Sequence, residues 1–501
     1  MKNLLLFSVF ILLSFSTIQA QSEANKCWSI DYETWNATGQ PSLYIDCGND
    51  EQFNLGSELS LEVWARAYTF AENRKMMGKI EYHDPIDNGY VFGFENLHVY
   101  AEYFNPTKQE VPRPGDGPME PDSSFVHLVT TYSVSSGKIQ SYVNGMLSGE
   151  SSMFPSTAIV SNDRPFIIGN APWDLLSFQF YGDMDEVRVW NKALNQEEIN
   201  ARMHTELSGT ENGLVAYYNF NEANGSLVPD KSTNEFDGTL SNSDHESTSF
   251  VISSAPVGNQ IMAEMTDVKA AWYRPTENYH RISTDNGLLV ISDIQEKEFR
   301  KYVVAGQNGQ SGVSNNFAPE NPPAGFTRTQ REWYINCAGG VGGGFTILLE
   351  DATADGIPAD DDLNQYVLLY RENTTDNFRA VMRPTKPVAG VFQFNDIAFR
   401  DGFYALGFAT EEFPVQGWTA VYEHPFSAIQ IGPIPVDNEL RINRIPMNTT
   451  IQISSLSGEL LYTLPNETQQ TTIDMSGFES GMYIIVLKSD KEKIVKKIMK
   501  Y

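Results

Sequence analysis

Apolar residues recur along this chain mostly at every second position, in short runs bounded by Gly, Asn, Asp and Pro. That is the period of a β-strand, whose successive side chains leave opposite faces of the backbone. In Leu59-Ser60-Leu61-Glu62-Val63-Trp64-Ala65 the spacing puts Leu59, Leu61, Val63 and Ala65 on one face. Over 185–190 it sets Val187 and Val189 opposite Glu186 and Arg188. Helical spacing is rare. Residues 195–203 predict one short amphipathic helix, with Asn195 as its cap and Ile199 and Met203 four apart. Short strands with frequent turn signals predict an all-β protein built from sandwiches or barrels.

The first twenty residues follow another pattern. Met1-Lys2 gives a positive start, residues 4–15 are apolar apart from Ser8 and Ser14, and Ala20 ends the stretch with a small residue. This predicts a cleaved secretory signal peptide over 1–20 rather than a membrane span, and no later stretch is apolar enough to be a transmembrane segment. Two further breaks divide the remainder. Residues 246–259 lie in a polar, Ser-rich stretch that reads as a linker, and two prolines in Gly432-Pro433-Ile434-Pro435 deny a strand its donors. The expected division is therefore 21–245, the linker 246–259, then 260–430 and 431–501. Three domains suit a chain of 501 residues.

Charge narrows the function. Lys and Arg number 35 against 64 Asp and Glu, a formal net charge of −29. Nucleic acid is not an expected partner, because that affinity rests on neutralising phosphates with Lys and Arg. Three cysteines, Cys27, Cys47 and Cys337, rule out a disulfide scaffold and leave at least one thiol unpaired within the chain.

Catalytic signatures are weak. Retaining glycoside hydrolysis needs two carboxylates about 5–5.5 Å apart, which a strand supplies as Glu-x-Asp with a third carboxylate beyond. Glu-x-Asp occurs only at Glu120/Asp122 and Glu235/Asp237, in turn-rich segments; Ser124 or Phe125 and Thr239 or Leu240 stand where the third acid belongs. Neither Gly-x-Ser-x-Gly nor His-Glu-x-x-His occurs, and a lone strand histidine such as His127 reads as structural. A non-catalytic protein is expected. The run 339–344, Gly-rich but without a following Lys-Ser/Thr, reads as a hairpin loop rather than a phosphate cradle.

Two features point to ligands. Asp351, Thr353, Asp355, Gly356 and Asp362 fall where a calcium loop has its alternating oxygen ligands, its glycine bend and its closing carboxylate. Thr353, Pro358 and Asp362 each depart from that pattern, and the alternative is an acidic surface loop between strands. In Ala171-Pro172-Trp173-Asp174, Trp173 can stack on a sugar ring or pack over the sandwich edge. The acidic, Pro-rich stretch 106–121 reads as a solvated loop.

Several segments then fall in a familiar order. Asp46-Cys47-Gly48-Asn49-Asp50 precedes Leu59-Ser60-Leu61-Glu62-Val63-Trp64; next come Phe125-Val126-His127-Leu128-Val129, Tyr142-Val143-Asn144-Gly145 and Ile168-Gly169-Asn170. Asp185-Glu186-Val187-Arg188-Val189-Trp190 and Gly213-Leu214-Val215-Ala216-Tyr217-Tyr218 close the series. This order resembles laminin-G-like, concanavalin A-like domains. The resemblance implies an antiparallel jelly-roll sandwich that often carries Ca2+, and the family's metal-holding Asp matches Asp185. The alternative is that Asp185 only ends a strand and bonds neighbouring backbone. Some sandwiches of this shape are glycoside hydrolases, and the fold does not choose among glycan, protein and no ligand.

Residues 260–430 resemble a β-rich module of unknown function found beside such domains in surface proteins of gliding bacteria, through Arg331-Glu332-Trp333, Tyr366-Val367-Leu368-Leu369-Tyr370-Arg371 and Asp401-Gly402-Phe403-Tyr404. Residues 431–501 resemble the C-terminal sorting domain of the type IX secretion system of Bacteroidetes. The residues are Pro435-Val436-Asp437-Asn438-Glu439-Leu440, Ile473-Asp474-Met475-Ser476-Gly477-Phe478, Gly481-Met482-Tyr483-Ile484-Ile485 and a Lys-rich end. That resemblance implies a small β-sandwich and export through the type IX machinery. The expectation is a secreted or cell-surface, adhesin-like protein whose laminin-G-like domain binds glycan or a surface protein. A polysaccharide hydrolase and a purely structural matrix component are the rivals.

Overall fold

The computed structural model describes residues 25–31, 42–68, 73–82, 87–95, 98–104, 109–110, 124–151, 157–175, 177–245, 248–272, 282–283, 290–292, 302–338, 341–385, 390–415, 430–432, 436, 438–443, 445, 449–455, 460–466, 470–488 and 493–500. The expected leader, Glu120, Asp122 and most of the 106–121 stretch lie outside them. The chain divides near residue 263 into two compact units.

The first unit strings together β1 (Lys26–Ile30), β2 (Ile45–Asp46), β3 (Glu58–Ala67), β4 (Asn73–Glu81), β5 (Asn88–Glu95), β6 (His98–Phe104), β7 (Gln109–Glu110) and β8 (Val126–Ser133). It continues with β9 (Lys138–Val143), β10 (Met146–Ser151), β11 (Ile167–Ile168), β12 (Gly182–Trp190), α1 (Gln196–Arg202), β13 (Leu214–Tyr218), β14 (Leu227–Val228), β15 (Gly238–Leu240) and β16 (Thr248–Ile252). Two eight-stranded sheets result. One runs β10-β9-β8-β3-β12-β1-β16 with β13 beside β12, and the other runs β14-β15-β2-β11-β4-β5-β6-β7. Leu61, Val63, Val187 and Val189 of the first share one core with Ile45, Met77, Phe92, Tyr103 and Ile168 of the second. Burying each such side chain contributes roughly 1.5–3 kcal/mol. The expected alternation in β3 is present, and so is the helix: Asn195 and Glu198 form a reciprocal capping box, and Ile199 is buried.

One expectation is corrected. Residues 246–259 are not a linker, because β16 pairs with β1 over five residues and Ser253, Ala255 and Val257 are buried. The polar composition misled because these serines bond inward: Ser253 Oγ donates to Asp185 Oδ2 at 2.5 Å. In β12 the expected placement of Val187 and Val189 opposite Glu186 and Arg188 holds, and a bulge precedes it. The register shifts between Asp185 and Arg188, and Glu186 has φ of 53°. A bulge of this kind places two consecutive side chains on one side of the sheet, so Asp185 joins Glu186 and Arg188 on the outer face.

In the second unit, Gly402–Phe408 pairs with Trp333–Ala338, Thr327–Thr329 and Tyr366–Arg371 in an eight-stranded sheet. A four-stranded sheet includes Gly342–Leu348 and Val391–Ala398, and Phe345, Ile347 and Phe394 share a core with Ile335, Leu368 and Leu406. The tail is a small sandwich of three and four strands around Leu440, Ile442, Ile451, Ile485, Leu487 and Ile498.

Candidate ligand-binding face

Trp173 sits in the loop between β11 and β12, and that loop is anchored by buried amides. Gly169, with φ of 86°, lets the chain turn against Trp28; a Cβ there would come within 2.5 Å of the indole. Asn170 Nδ2 donates to the Leu175 carbonyl at 2.9 Å, and the Ala171 amide donates to Asn170 Oδ1 at 2.8 Å. Gln179 Nε2 donates to the Gly169 carbonyl at 2.9 Å, while its Oε1 accepts from Leu43 N at 2.8 Å. A loop with its base fixed this way presents its tip side chain in one place.

That tip lies on the outer face of the second sheet. Ile80, Val91 and Phe104, all fully buried, form a small apolar floor against which Tyr82 and Trp173 pack. The Trp173 ring meets Tyr82 edge-on at 4.5 Å and Phe178 at 5.2 Å. Lys75 Nζ lies 6.0 Å from the Trp173 centroid and 5.7 Å from that of Phe178, and the Tyr82 hydroxyl donates to Glu102. Trp173, Tyr82, Phe178 and Glu102 are all only partly buried. The arrangement offers an aromatic surface for stacking beside one carboxylate, with the Lys75 cation buried beneath it. Trp173 was legible in the sequence. Tyr82, Phe178, Lys75 and Glu102 were not, because they come from β4, the residue after it, β6 and the loop before β12, which only the fold brings together.

The outer face of the first sheet has another character. Glu62, His127, Glu186, Arg188, Trp190 and Tyr217 are each at most 1% exposed. Arg188 Nη1 donates to Glu62 Oε1 at 2.9 Å and Nη2 to Glu186 Oε2 at 2.5 Å; Nη2 also reaches the Thr205 carbonyl at 2.7 Å. Trp190 Nε1 donates to Glu62 Oε2 at 3.0 Å, the Tyr217 hydroxyl donates to Glu186 at 2.8 Å, and His127 Nε2 lies 2.9 Å from Glu62 Oε1. Burial alone would raise the Glu62 carboxyl, but the Arg188 charge and the bonds from His127 and Trp190 hold it at about 2. Burial lowers His127 and keeps it neutral, in keeping with its structural reading. Above this layer, Leu194, Ile199 and Leu207 pack on Val129, Trp190 and Tyr217. The segment after β16 adds a strap, with the Pro256 carbonyl 2.8 Å from His204 Nδ1 and the Gly258 amide donating to the His204 carbonyl at 2.9 Å. Two carboxylates flank Arg188, but they are sealed and fully engaged.

At both expected calcium positions, side chains already have partners within the protein. Asp185 is fully buried; its Oδ1 accepts from the Glu186 amide at 2.8 Å and its Oδ2 from Ser253. Burial and the Glu186 charge push its carboxyl well above the usual range. The second position is dispersed by local structure. Asp351 and Thr353 lie in α2 (Leu349–Ala354), and the Thr353 hydroxyl donates to the Glu350 carbonyl at 2.9 Å. Asp355 is clamped by Arg331 at 2.9 and 3.1 Å, and Asp362 caps the following turn by accepting from Asn364 N at 3.0 Å. Asp237, exposed, accepts from the Asp230 amide through Oδ1 at 2.9 Å. Among the described residues no three His, Cys, Asp or Glu side chains group closely enough to hold a metal. The three cysteines are unpaired.

Comparison with known proteins agrees with the sandwich. Residues 38–200 match the family model of the concanavalin A-like lectin/glucanases superfamily, as its laminin-G branch. The first unit carries a laminin-G-like domain. The tail, 430–501, matches the secretion system C-terminal sorting domain, which makes this a secreted or cell-surface protein of the type IX route. No described helix is long and apolar enough to cross a membrane. No curated protein matches the chain. Among solved structures, a Bacteroides ovatus protein described as carbohydrate binding is 19% identical, with a TM-score of 0.34, over 47% of this chain and 62% of that one. The chain thus spans less than two thirds of that protein. A heptameric pentraxin of Limulus polyphemus is 13% identical over 36% of this chain and 83% of that one, with a TM-score of 0.28. Domains LG4-5 of the mouse laminin alpha1 chain are 8% identical over 79% and 84%, with a TM-score of 0.25. Similarity at this level says nothing about ligands.

Proposed function

We propose that this is an exported, non-catalytic glycan-binding protein of the cell surface, whose laminin-G-like domain holds its ligand on the outer face of the second sheet. The observation that carries the reading is the fixed, half-buried Trp173 beside Tyr82, Phe178, Lys75 and Glu102. An aromatic ring with a few convergent polar groups is the usual make-up of a small-ligand site. The non-catalytic part of the reading is supported by the carboxylates: Glu62 and Glu186 are closed off around Arg188, and Asp237 is tied to backbone. The reading uses no calcium.

A glycan array probed with the full chain and with Trp173→Ala tests it. Loss of one stacked ring should weaken the bound glycan about tenfold, with little change in melting temperature because the ring is already half exposed. Equal binding by the variant would remove this face from consideration. Release of reducing sugar from any bound polysaccharide would favour the hydrolase rival.

A further inference from the structure

Phe317, in the second unit, follows the short strand Val313–Ser314 with φ of 54° and 41% of its surface exposed. Left-handed backbone is uncommon for a bulky residue, and such strain persists only where the surroundings over-determine it. Here they do. Arg328 Nε donates to the Asn316 carbonyl at 3.0 Å, and the Phe378 amide donates to the Phe317 carbonyl at 2.9 Å. Beneath the exposed ring lies the Arg371 guanidinium, 4.7 Å from its centroid; the same guanidinium is 4.8 Å from the Phe378 ring and 5.3 Å from that of Phe403. Arg328 stacks on Phe378 at 4.7 Å. Glu332 locks both cations, at 2.6 Å from Arg371 and 3.0 Å from Arg328.

The stack therefore holds one ring rigidly at the surface on a backbone that resists it. A ring serving only as a staple has no need of an exposed face. The rest of the setting is polar. Arg371 Nη1 donates to the Thr374 carbonyl, so the turn after Tyr366–Arg371 is held against the same guanidinium, with Thr374, Thr375 and Asn377 exposed. The cations are only 4% and 6% exposed, so what reaches solvent is the ring, with the hydroxyls and amide of the neighbouring turn beside it. We propose that Phe317 is the stacking platform of a second glycan-binding site, in the middle module, that takes chains of neutral hexopyranose. The apolar C–H face of a pyranose matches an exposed ring, and hydroxyls and amides match its equatorial groups. A chain of net charge −29 disfavours uronates and sulfated glycans.

The test is calorimetric titration of the full-length protein with laminarihexaose and cellohexaose, with hexagalacturonate as the acidic counterpart. Phe317→Asn removes the ring and installs a residue that tolerates left-handed backbone. It should weaken binding of a neutral hexasaccharide about tenfold while the melting temperature holds or rises. Phe317→Trp should bind as the parent or tighter, and the same loss should appear in a Trp173→Ala background. Unchanged affinity in Phe317→Asn, or lost affinity together with a fall in melting temperature, would overturn the platform. So would a preference for hexagalacturonate. If Trp173→Ala alone abolishes all binding, this second site fails and the first stands; if only Phe317→Asn abolishes it, the first fails and this one stands.

Discussion

The two outer faces of the first sandwich start from strands of similar composition and end in opposite states. On the first sheet, charges alternate with core residues in β3 and β12, and a helix and a strap close over them. On the second sheet, aromatics gather round a fixed loop and remain partly in contact with solvent. The difference lies in what each face must satisfy. A buried charge set needs every partner in place before it stops costing free energy, so it demands a lid. An aromatic cluster is stable half wet, so it can be left open for a ligand.

That contrast can be broken most forcefully at Arg188. Arg188→Met would leave Glu62 and Glu186 buried without their cation, and we expect a loss of roughly 3–5 kcal/mol, seen by calorimetry of the full chain as a collapse of the first unit's transition. A result near zero would mean that the closed face is not held by its charges.

The segment between α1 and β13 offers a test by pH. Burial first, and then the Glu186 charge, raise the Glu206 carboxyl to about 7; its Oε1 accepts from Asn221 at 2.9 Å. The groups facing it are Glu186, Asp185, Arg188 and Lys231. A raised carboxyl binds its proton more tightly in the folded state. Its stabilisation is present below the ordinary carboxylate range and is lost as pH rises through about 7. The melting temperature should therefore fall between roughly pH 5 and pH 8, and Glu206→Gln should flatten the part due to this group, about 2–3 kcal/mol. A smaller effect belongs to Asp185. Asp185→Ala strands the Ser253 hydroxyl and the Glu186 amide, which should cost about 1–3 kcal/mol, equally in calcium and in chelator. A calcium-dependent difference would support the metal reading. The open face should respond least in stability: Trp173→Ala changes binding, not folding.

Much of this architecture was legible because it follows from period two. The core faces of β3 and β12, the helix with its Asn195 cap, and the segmented tail all announce themselves locally. What escaped was non-local. The Ser-rich run over 246–259 has the composition of a linker, and only Asp185, 68 residues earlier, gives Ser253 a reason to be buried. Asp351 to Asp362 had calcium-loop spacing, but spacing cannot show that Arg331 takes Asp355 or that a helix turns Asp351 and Thr353 away from a common centre. Trp173 was visible as an exposed aromatic candidate, yet its partners come from β4, β6 and the chain just after it.

The place of β1 has a consequence in time. This first described strand lies between β12 and β16, and Trp28 Nε1 donates to Thr248 Oγ1 at 2.6 Å across 220 residues of chain. The opening strand thus has one neighbour that is synthesised late in the domain and another at its very end. Such distant pairings form slowly. The first described strand therefore stays unpaired on one side until the last has been made, and the sandwich closes only once the whole domain is present.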